Sequence, residues 1–176
     1  MKDAGPAIDP LAFRQALGQF AAGVAIITAK ADTQLVGLTV NSFNSVSLDP
    51  PLILFSITRT ARSLNGLLRA PAFAVNILSR EQESLSNHFA RSQADKWSAV
   101  THTAGYCGTP LLSGVLAHFE CAPYANHDGG DHVIVVGRVF RFALNDCGEP
   151  LVYFRSRYRS LAAVGPQPEW PLPIHY

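Results

Sequence analysis

Short apolar segments of strand length recur along this 176-residue chain, and turn residues rather than regularly spaced helices separate them. Apolar segments bounded in this way are typical of β-strands. The pattern predicts strands over residues 24–28, 35–38, 52–57, 73–78, 114–125, 133–144 and 151–155. Because no regular alternation with helices is present, the sequence favours a mainly β domain, a closed or split barrel with short helices, over a doubly wound sheet.

The first helix is predicted near the start of the chain. Asp9 is a favourable N-cap, Pro10 suits the first helical position, and apolar residues recur from Phe13 at helical spacing. This pattern predicts an amphipathic helix that runs to about Ala21.

Two further helices and one central strand are predicted in the middle of the chain. A short helix fits residues 64–69, and Ser79 with Gln82 forms a capping box that opens a helix ending near Ala90. The segment 52–57 is continuously apolar, which predicts a central strand with both faces covered.

The stretch 37–51 is unusually polar for its position between two apolar segments. Its hydroxyl and amide groups can donate or accept hydrogen bonds without carrying charge. This chemistry suits a flat ligand with polar edges, such as a flavin, and the alternative is a Ser- and Asn-rich hairpin loop. The candidate ligand-binding residues are Thr39, Asn41, Ser42, Ser45 and Ser47.

Composition limits the organisation and the partners of the chain. Its length fits one domain, predicted over 10–162, with an N-terminal extension at 1–9 and a Pro-rich tail at 163–176. Hydrophobic residues make up 48% and charged residues 15%, and this apolar surplus predicts a homodimer. A formal net charge of +1 without a basic stripe argues against a nucleic-acid partner.

The N-terminal residues and the cysteines suggest the compartment. The first six residues lack the apolar core of a signal peptide, and no window reaches the roughly 18 apolar residues of a membrane span. Cys107, Cys121 and Cys147 are odd in number and form no Cys-x-x-Cys pair. A cytoplasmic protein without a membrane segment is therefore expected, with reduced and mostly buried thiols.

One short segment, 127–132, holds two histidines and two aspartates. These residue types can bind zinc or iron, but the glycine pair between them breaks any regular ligand spacing and no further cluster completes a coordination shell. No metal is expected. We expect a flexible loop that places His132 at the mouth of a pocket, and a plain exposed turn is the alternative.

Several blocks together resemble the short-chain flavin reductases, the reductase components of two-component flavin-dependent monooxygenases. The blocks are 37–51, 13–28, 73–78, 130–132 and 151–161, and they lie in the family's order over residues 10–162. The resemblance implies an FMN-binding split β-barrel, usually dimeric. In such a protein NADH or NADPH reduces FMN or FAD, which then leaves for an oxygenase partner.

The resemblance also implies roles for individual residues. Residues of the polar stretch would line the isoalloxazine ring and ribityl chain, the loop 56–63 would lie at the phosphate, and the hairpin with His132 would approach the nicotinamide as the catalytic group. The flavin-contacting set is Thr39, Val40, Asn41, Ser42, Phe43, Ser45 and Ser47; the nicotinamide set is Gly130, Asp131, His132 and Tyr158. The family often has Gly where this chain has Ser156.

Arginine is a better phosphate anchor than lysine, because its guanidinium forms bidentate hydrogen bonds with phosphate oxygens. Arg59 and Arg62 are both candidates in the loop 56–63, and Lys96 is a second candidate region. The accompanying polar candidates are Ser56, Thr58, Thr60 and Ser63. Arg155, Arg157 and Arg159 are instead interpreted as one solvated or interfacial row on alternate strand positions.

No protein nucleophile is needed for hydride transfer, because the cofactors carry the reaction and the protein supplies geometry and electrostatics. The main hypothesis is therefore an NAD(P)H:flavin oxidoreductase. One alternative is a flavin-binding electron carrier on the same barrel without nicotinamide turnover. A second is a haem-binding module with His88 or His118 as axial ligand, although core imidazoles are the commoner explanation for both.

Overall fold

A computed structural model describes residues 7–92, 95–145 and 148–162. Its main element is a seven-stranded antiparallel sheet, in which the spatial order of the strands is β3-β2-β6-β9-β10-β5-β4. These strands are β2 (Ala25–Ala31), β3 (Gln34–Val40), β4 (Asn44–Leu48), β5 (Pro51–Thr58), β6 (Phe73–Ile77), β9 (Ala117–Gly129) and β10 (His132–Leu144).

Two smaller sheets, three α-helices and two short 3-10 helices, Arg80–Gln82 and Tyr106–Gly108, complete the described part of the chain. One small sheet joins β1 (Ala22–Gly23), β11 (Val152–Phe154) and β12 (Arg157–Arg159), and the other pairs β7 (His102–Ala104) with β8 (Pro110–Leu112). The α-helices are α1 (Pro10–Leu17), α2 (Leu64–Arg69) and α3 (Glu83–Ala90).

The large sheet curls so that β3 and β5 approach each other, which gives the split barrel that the sequence predicts. Buried side chains from all its strands except β4 meet those of α2 in one core cluster. Between β3 and β5 no strand ladder forms; the Ser42 side chain bridges this gap to the backbone of Ser56. The split of the barrel therefore lies between these two strands.

A second core cluster forms between the outer face of β2 and α3. Ile26 of β2 and Phe89 of α3 are almost fully buried in it, with Leu78 and Leu151. Asn76 is also buried, and its amide donates to the Ile26 carbonyl while its oxygen accepts the Leu112 N–H. This satisfied polar group fixes β8 against the sheet without leaving a donor unpaired.

Local signals place the helices correctly, with one difference in length. The capping box of Ser79 and Gln82 is present, and α2 has the predicted bounds. The first helix ends at Leu17 instead of continuing to Ala21, because Gly18 caps it and the chain turns. The apolar residues after Gly18 continue the helical spacing in the sequence, but they lie beyond the turn and are not part of the helix.

The prediction that both faces of segment 52–57 are covered is wrong for the chain alone. In β5 only alternate residues, Ile53, Phe55 and Ile57, are buried, whereas Leu52 and Leu54 remain half-exposed. The strand pairs on both edges, with β10 and β4, so its backbone is central although its outer face is open.

The arginine row is also different from its prediction. Arg155 and Ser156 form the turn between β11 and β12, with φ of 50° and 60°, and only Arg157 and Arg159 lie on a strand. Left-handed φ values favour glycine. This conformation suits the glycine that the resemblance implies at the position of Ser156.

The thiols differ in their environments. Cys121 is buried, but Cys107 is exposed, so the expectation of mostly buried thiols is wrong for Cys107. Cys147, the N-terminal residues 1–6 and the Pro-rich tail 163–176 lie outside the described residues. Within the described residues, no helix is long and apolar enough to cross a membrane.

Candidate active site

A cleft of ≈ 970 Å³ follows the split of the barrel along β3. Helix α2 forms one wall, and the end of α3 with the segment around Lys96 forms the other. Because β3 is an edge strand paired only with β2, the backbone groups on its other edge have no ladder partner. The Leu35 and Gly37 carbonyls of this edge accept from Trp97 and Lys96, so a ligand in the cleft can meet only the remaining backbone groups.

Two hydroxyl groups of the polar stretch hold the cleft together instead of facing a ligand. The Ser42 hydroxyl accepts the Ser56 N–H at 2.9 Å and donates to the Ser56 carbonyl at 3.1 Å. The Thr39 hydroxyl donates to the Ser86 carbonyl in α3 at 2.7 Å. These two residues therefore fix the cleft walls, and their backbone is what they present to a ligand.

The β9–β10 hairpin is a tight turn, not the flexible loop that the sequence predicted. The Arg59 guanidinium donates to the Asp128 carboxylate at 2.7 Å and to the Gly130 carbonyl at 2.8 Å. The Asp131 carbonyl accepts the Arg59 N–H. Arg59 therefore braces the hairpin, and it is not in the cleft lining.

His132 stands at the first position of β10, paired with Thr58, and lines the cleft. Its Nδ1 lies 2.7 Å from the Asp131 carboxylate, and its Nε2 has no hydrogen-bond partner among the described residues. The hydrogen bond with His132 holds the pKa of Asp131 below its usual range. A carboxylate accepting from Nδ1–H leaves Nε2 of a neutral imidazole as an acceptor.

The charges of the cleft have one sign. Four cationic side chains line it, and none of the lining residues is an Asp or Glu. Arg62, Arg69 and Arg91 are exposed, and none pairs with a carboxylate of the described chain. A cleft of this kind attracts anionic ligands.

Lys96 belongs to the wall itself. Its ammonium donates to the carbonyl of Phe89 at 2.9 Å and to that of Gly37 at 3.3 Å, and burial lowers its pKa. Trp97 follows, and its indole N–H donates to the Leu35 carbonyl at 3.1 Å. This segment thus ties the end of α3 to β3.

The structure brings together eleven of the residues that the sequence proposed for the site. The cleft is lined by Thr39, Val40, Asn41, Ser42, Ser56, Thr58, Thr60, Arg62, Ser63, Lys96 and His132. The remaining proposed residues lie outside the lining: Phe43, Ser45, Ser47, Arg59, Gly130, Asp131 and Tyr158. Arg69 and Arg91 line the cleft but were not proposed, because an exposed arginine near a helix end has no distinctive sequence pattern.

Tyr158 lies behind α3, on a second and smaller cleft. Its hydroxyl contacts Ser86 Oγ at 2.8 Å and donates to the Asn87 side chain at 3.2 Å. Since the Ser86 carbonyl also accepts from Thr39, Tyr158 is linked to the main cleft only through this helix.

The two histidines considered for haem are half-buried rather than fully in the core. His88 contacts the Lys96 carbonyl through Nε2 and packs edge-on against Phe89. His118 is half-buried in β9, and its Nδ1 has no hydrogen-bond partner in the described part of the chain. Among the described residues, no three His, Cys, Asp or Glu side chains form a group that could hold a metal ion.

The model of the flavin reductase like domain family matches residues 17–162. The chain belongs to this family. The resemblance inferred from the sequence motifs is thereby confirmed, as is the mainly β fold.

Named relatives in the family include reductases of known cofactor use. The chain is 41% identical over 158 residues to the flavin-dependent monooxygenase reductase subunit HsaB of Rhodococcus jostii, covering 90% of this chain and 81% of that protein. It is 39% identical over 170 residues to an NADH-dependent flavin reductase of a Rhodococcus species, covering 94% of each.

A solved structure in the family agrees over the same region. The Streptomyces globisporus NADH:FAD oxidoreductase SgcE6, in complex with NAD and FAD fragments, superposes with a TM-score of 0.86 at 34% identity. The match covers 92% of this chain and all of that one.

The cleft fits the cofactors that the family implies. The edge of β3 offers backbone donors and acceptors for the polar edge of a flavin ring, and the arginines fit a phosphate. No lining residue of the described chain is a carboxylate that would repel these anionic molecules.

Proposed function

We propose that this protein is an NADH:flavin oxidoreductase that uses the cleft along β3. The observation that carries the proposal is the lining of that cleft, which combines the polar wall 39–42 with four cations and no carboxylate. When bound, the nicotinamide supplies a hydride and the flavin supplies N5 as its acceptor.

The residues of the chain position the flavin. Thr39 and Ser42 hold the wall in place through their hydroxyls, so that the backbone of 39–42 faces the ring. Preorganised N–H groups of this kind stabilise negative charge that develops on the ring as it accepts the hydride. Arg62, with Thr58 and Ser63 beside it, binds the phosphate at the start of α2.

His132 positions the nicotinamide. Asp131 fixes its imidazole through Nδ1, which leaves Nε2 to accept a hydrogen bond from the carboxamide N–H₂ of the nicotinamide. This contact orients the hydride donor over the flavin ring without a covalent step. Arg59 keeps the whole hairpin in place for this role.

The names of the relatives support NADH as the donor and a monooxygenase as the recipient of reduced flavin. Reduced flavin must leave the cleft for this purpose, and the cleft is open to solvent along the split. We assign the protein to the cytoplasm, where the free thiols of Cys107 and Cys121 would persist.

We also propose a homodimer, because large apolar side chains are exposed on strands of the large sheet. Phe142 and Leu144 of β10 are 70% and 71% exposed, and Leu48 of β4 is 82% exposed. Phe142 stacks on Phe119, so the apolar surface is continuous across two strands. A surface of this kind is typical of a subunit interface. Light scattering should give a dimer, and Phe142→Asp should give monomers.

The function is tested by steady-state oxidation of NADH and NADPH with added FMN or FAD. The proposal predicts oxidation of NADH that depends on added flavin. It is contradicted if none of the four combinations turns over. His132→Ala should raise KM for NADH or lower kcat by about tenfold or more, with flavin affinity within about twofold of the parent. His127→Ala, an exposed histidine on the same hairpin, is the matched control.

A further inference from the structure

We infer that the protein prefers FAD to FMN, because the far end of the cleft is built to hold the adenylate half of a dinucleotide. The inference rests on the proposed function and goes beyond it in naming the flavin. Its basis is the pair Arg69 and Arg91, which flank the end of the cleft near Gln34, away from His132.

The strand register fixes which end is which. Ser42 bonds to Ser56, and His132 pairs with Thr58, so the flavin-ring end of the cleft lies where β3 ends. The opposite end begins at Gln34, the first residue of β3. These two ends are separated by eight residue steps, or about 26 Å of extended chain.

Arg69 lies toward the Gln34 end. Helix α2 packs on β3 at Val36, where a Cβ on Gly66 would come within 2.8 Å of the valine Cγ2. After α2 the chain enters β6 at Phe73. Phe73 pairs with Ala29 of β2, and Ala29 pairs with Val36 of β3, so Phe73 and Val36 lie at the same level of the sheet. The Cβ added at Gly66 would also lie 4.0 Å from the Ala31 side chain, and Ala31 pairs with Gln34, so the half of α2 that carries Arg69 lies at the Gln34 end of β3.

Arg91 flanks the same end from the other wall. It follows α3 directly, and Phe89 at the end of that helix packs on Gly37. The neighbouring Trp97 bonds to the Leu35 carbonyl, which holds this wall at the first half of β3. Arg69 and Arg91 thus line opposite walls of the cleft toward the Gln34 end, and neither pairs with a carboxylate of the described residues.

Ligand length decides between the two flavins. An extended FMN molecule places its single phosphate at the loop that carries Arg62, and it ends there. FAD continues with a second phosphate and an adenosine, which would run along the first half of β3 between Arg69 and Arg91. Gln34 at this end, and Asn65 of α2, line the cleft, and their carboxamides can both donate to and accept from a purine edge.

The test is calorimetric titration of the purified protein with FMN and with FAD in the absence of NADH. The expected result is a Kd for FAD about tenfold or more below that for FMN. Arg69→Ala and Arg91→Ala should each raise the Kd for FAD about five- to tenfold, with the Kd for FMN within about twofold. Free AMP should compete with FAD and leave FMN binding unchanged.

The matched control is Arg157→Ala, which removes an exposed arginine from β12, outside the cleft. It should leave both affinities unchanged. Equal affinity of the parent protein for the two flavins overturns the inference, and so does an equal loss of FMN and FAD binding in the Arg69 and Arg91 variants.

One other outcome identifies a different occupant. If the variants raise KM for NADH with FMN as acceptor and leave the Kd for FAD unchanged, the arginines bind the adenylate of the nicotinamide cofactor and the inference is wrong. If neither flavin binds the parent protein at all, the proposed function fails as well. The two failures are therefore distinguishable.

Discussion

The Ser42 hydroxyl bonds to both the N–H and the carbonyl of Ser56, and so replaces one missing rung of ladder between β3 and β5. The two contacts, at 2.9 and 3.1 Å, close the barrel at the end of the split. One side chain therefore sets the width of the cleft at the point where His132 enters it.

Ser42→Ala should destabilise the fold by about 2 kcal/mol, because the variant leaves both backbone groups of Ser56 without their partner. Flavin affinity should fall with it as the walls separate. Denaturant unfolding and flavin titration measure the two effects. Ser45→Ala, an exposed serine on β4, is the control and should unfold like the parent. Parent-like stability of the Ser42 variant would refute the bridging role.

Gly37→Ala should destabilise the protein by about 2 kcal/mol through overpacking. A Cβ at this position would stand 2.3 Å from Phe89 Cε1 and 3.0 Å from Trp97 Cζ2, so the cleft wall must move. Gly23→Ala serves as the control, since no atom lies within 4 Å of the added methyl group. The prediction is contradicted if both variants show the same midpoint in thermal unfolding.

Stability should fall on acidification through the loss of the Arg59–Asp128 contact. The hydrogen bond from Arg59 holds the pKa of Asp128 below its usual value of 3.8. The contact therefore contributes fully at pH values above 3.8 and is lost as the carboxylate is protonated at lower pH. Asp128→Asn should lower the Tm at neutral pH, and its difference from the parent should shrink below pH 3.8. A difference independent of pH would contradict this account.

Cys121 should be inert in the native protein. Burial, with the neighbouring Glu120 carboxylate, raises the pKa of its thiol to about 12. Because the thiolate is the reactive form, a thiol reagent at neutral pH should label the native parent and Cys121→Ser to the same extent. Denatured parent should gain one label over denatured Cys121→Ser. Loss of native labelling in that variant would show that Cys121 is accessible.

Local signals made much of the fold predictable. Residues 64–69 form α2 as expected, and Ser79 with Gln82 caps the 3-10 helix that leads into α3, because caps and short helices depend on neighbouring residues. The short strands β7 and β8 were missed, since three-residue strands leave no periodic pattern. The half-exposed face of β5 was missed as well, because an apolar strand face has the same sequence pattern whether it is buried or exposed.

The site could be predicted only where the polar stretch and the family motifs carried a signal. Residues 39–42, Arg62 and His132 line one cleft, but their roles toward the flavin and nicotinamide stay predictions. Tyr158 lies behind α3 because the hairpin β11–β12 packs there, a long-range placement that the sequence does not encode locally. The positions of Arg69 and Arg91 at the cleft depend on the pairing register of β2, β3 and β6, which no local sequence pattern specifies.

The central claim is that flavin occupies the cleft along β3, and amide hydrogen exchange with and without FAD tests it most directly. The account predicts slower exchange over residues 35–42 and 58–63 when FAD is bound, with no change in β12. Protection of β12 and the second cleft beside Tyr158, with unchanged exchange along β3, would contradict it.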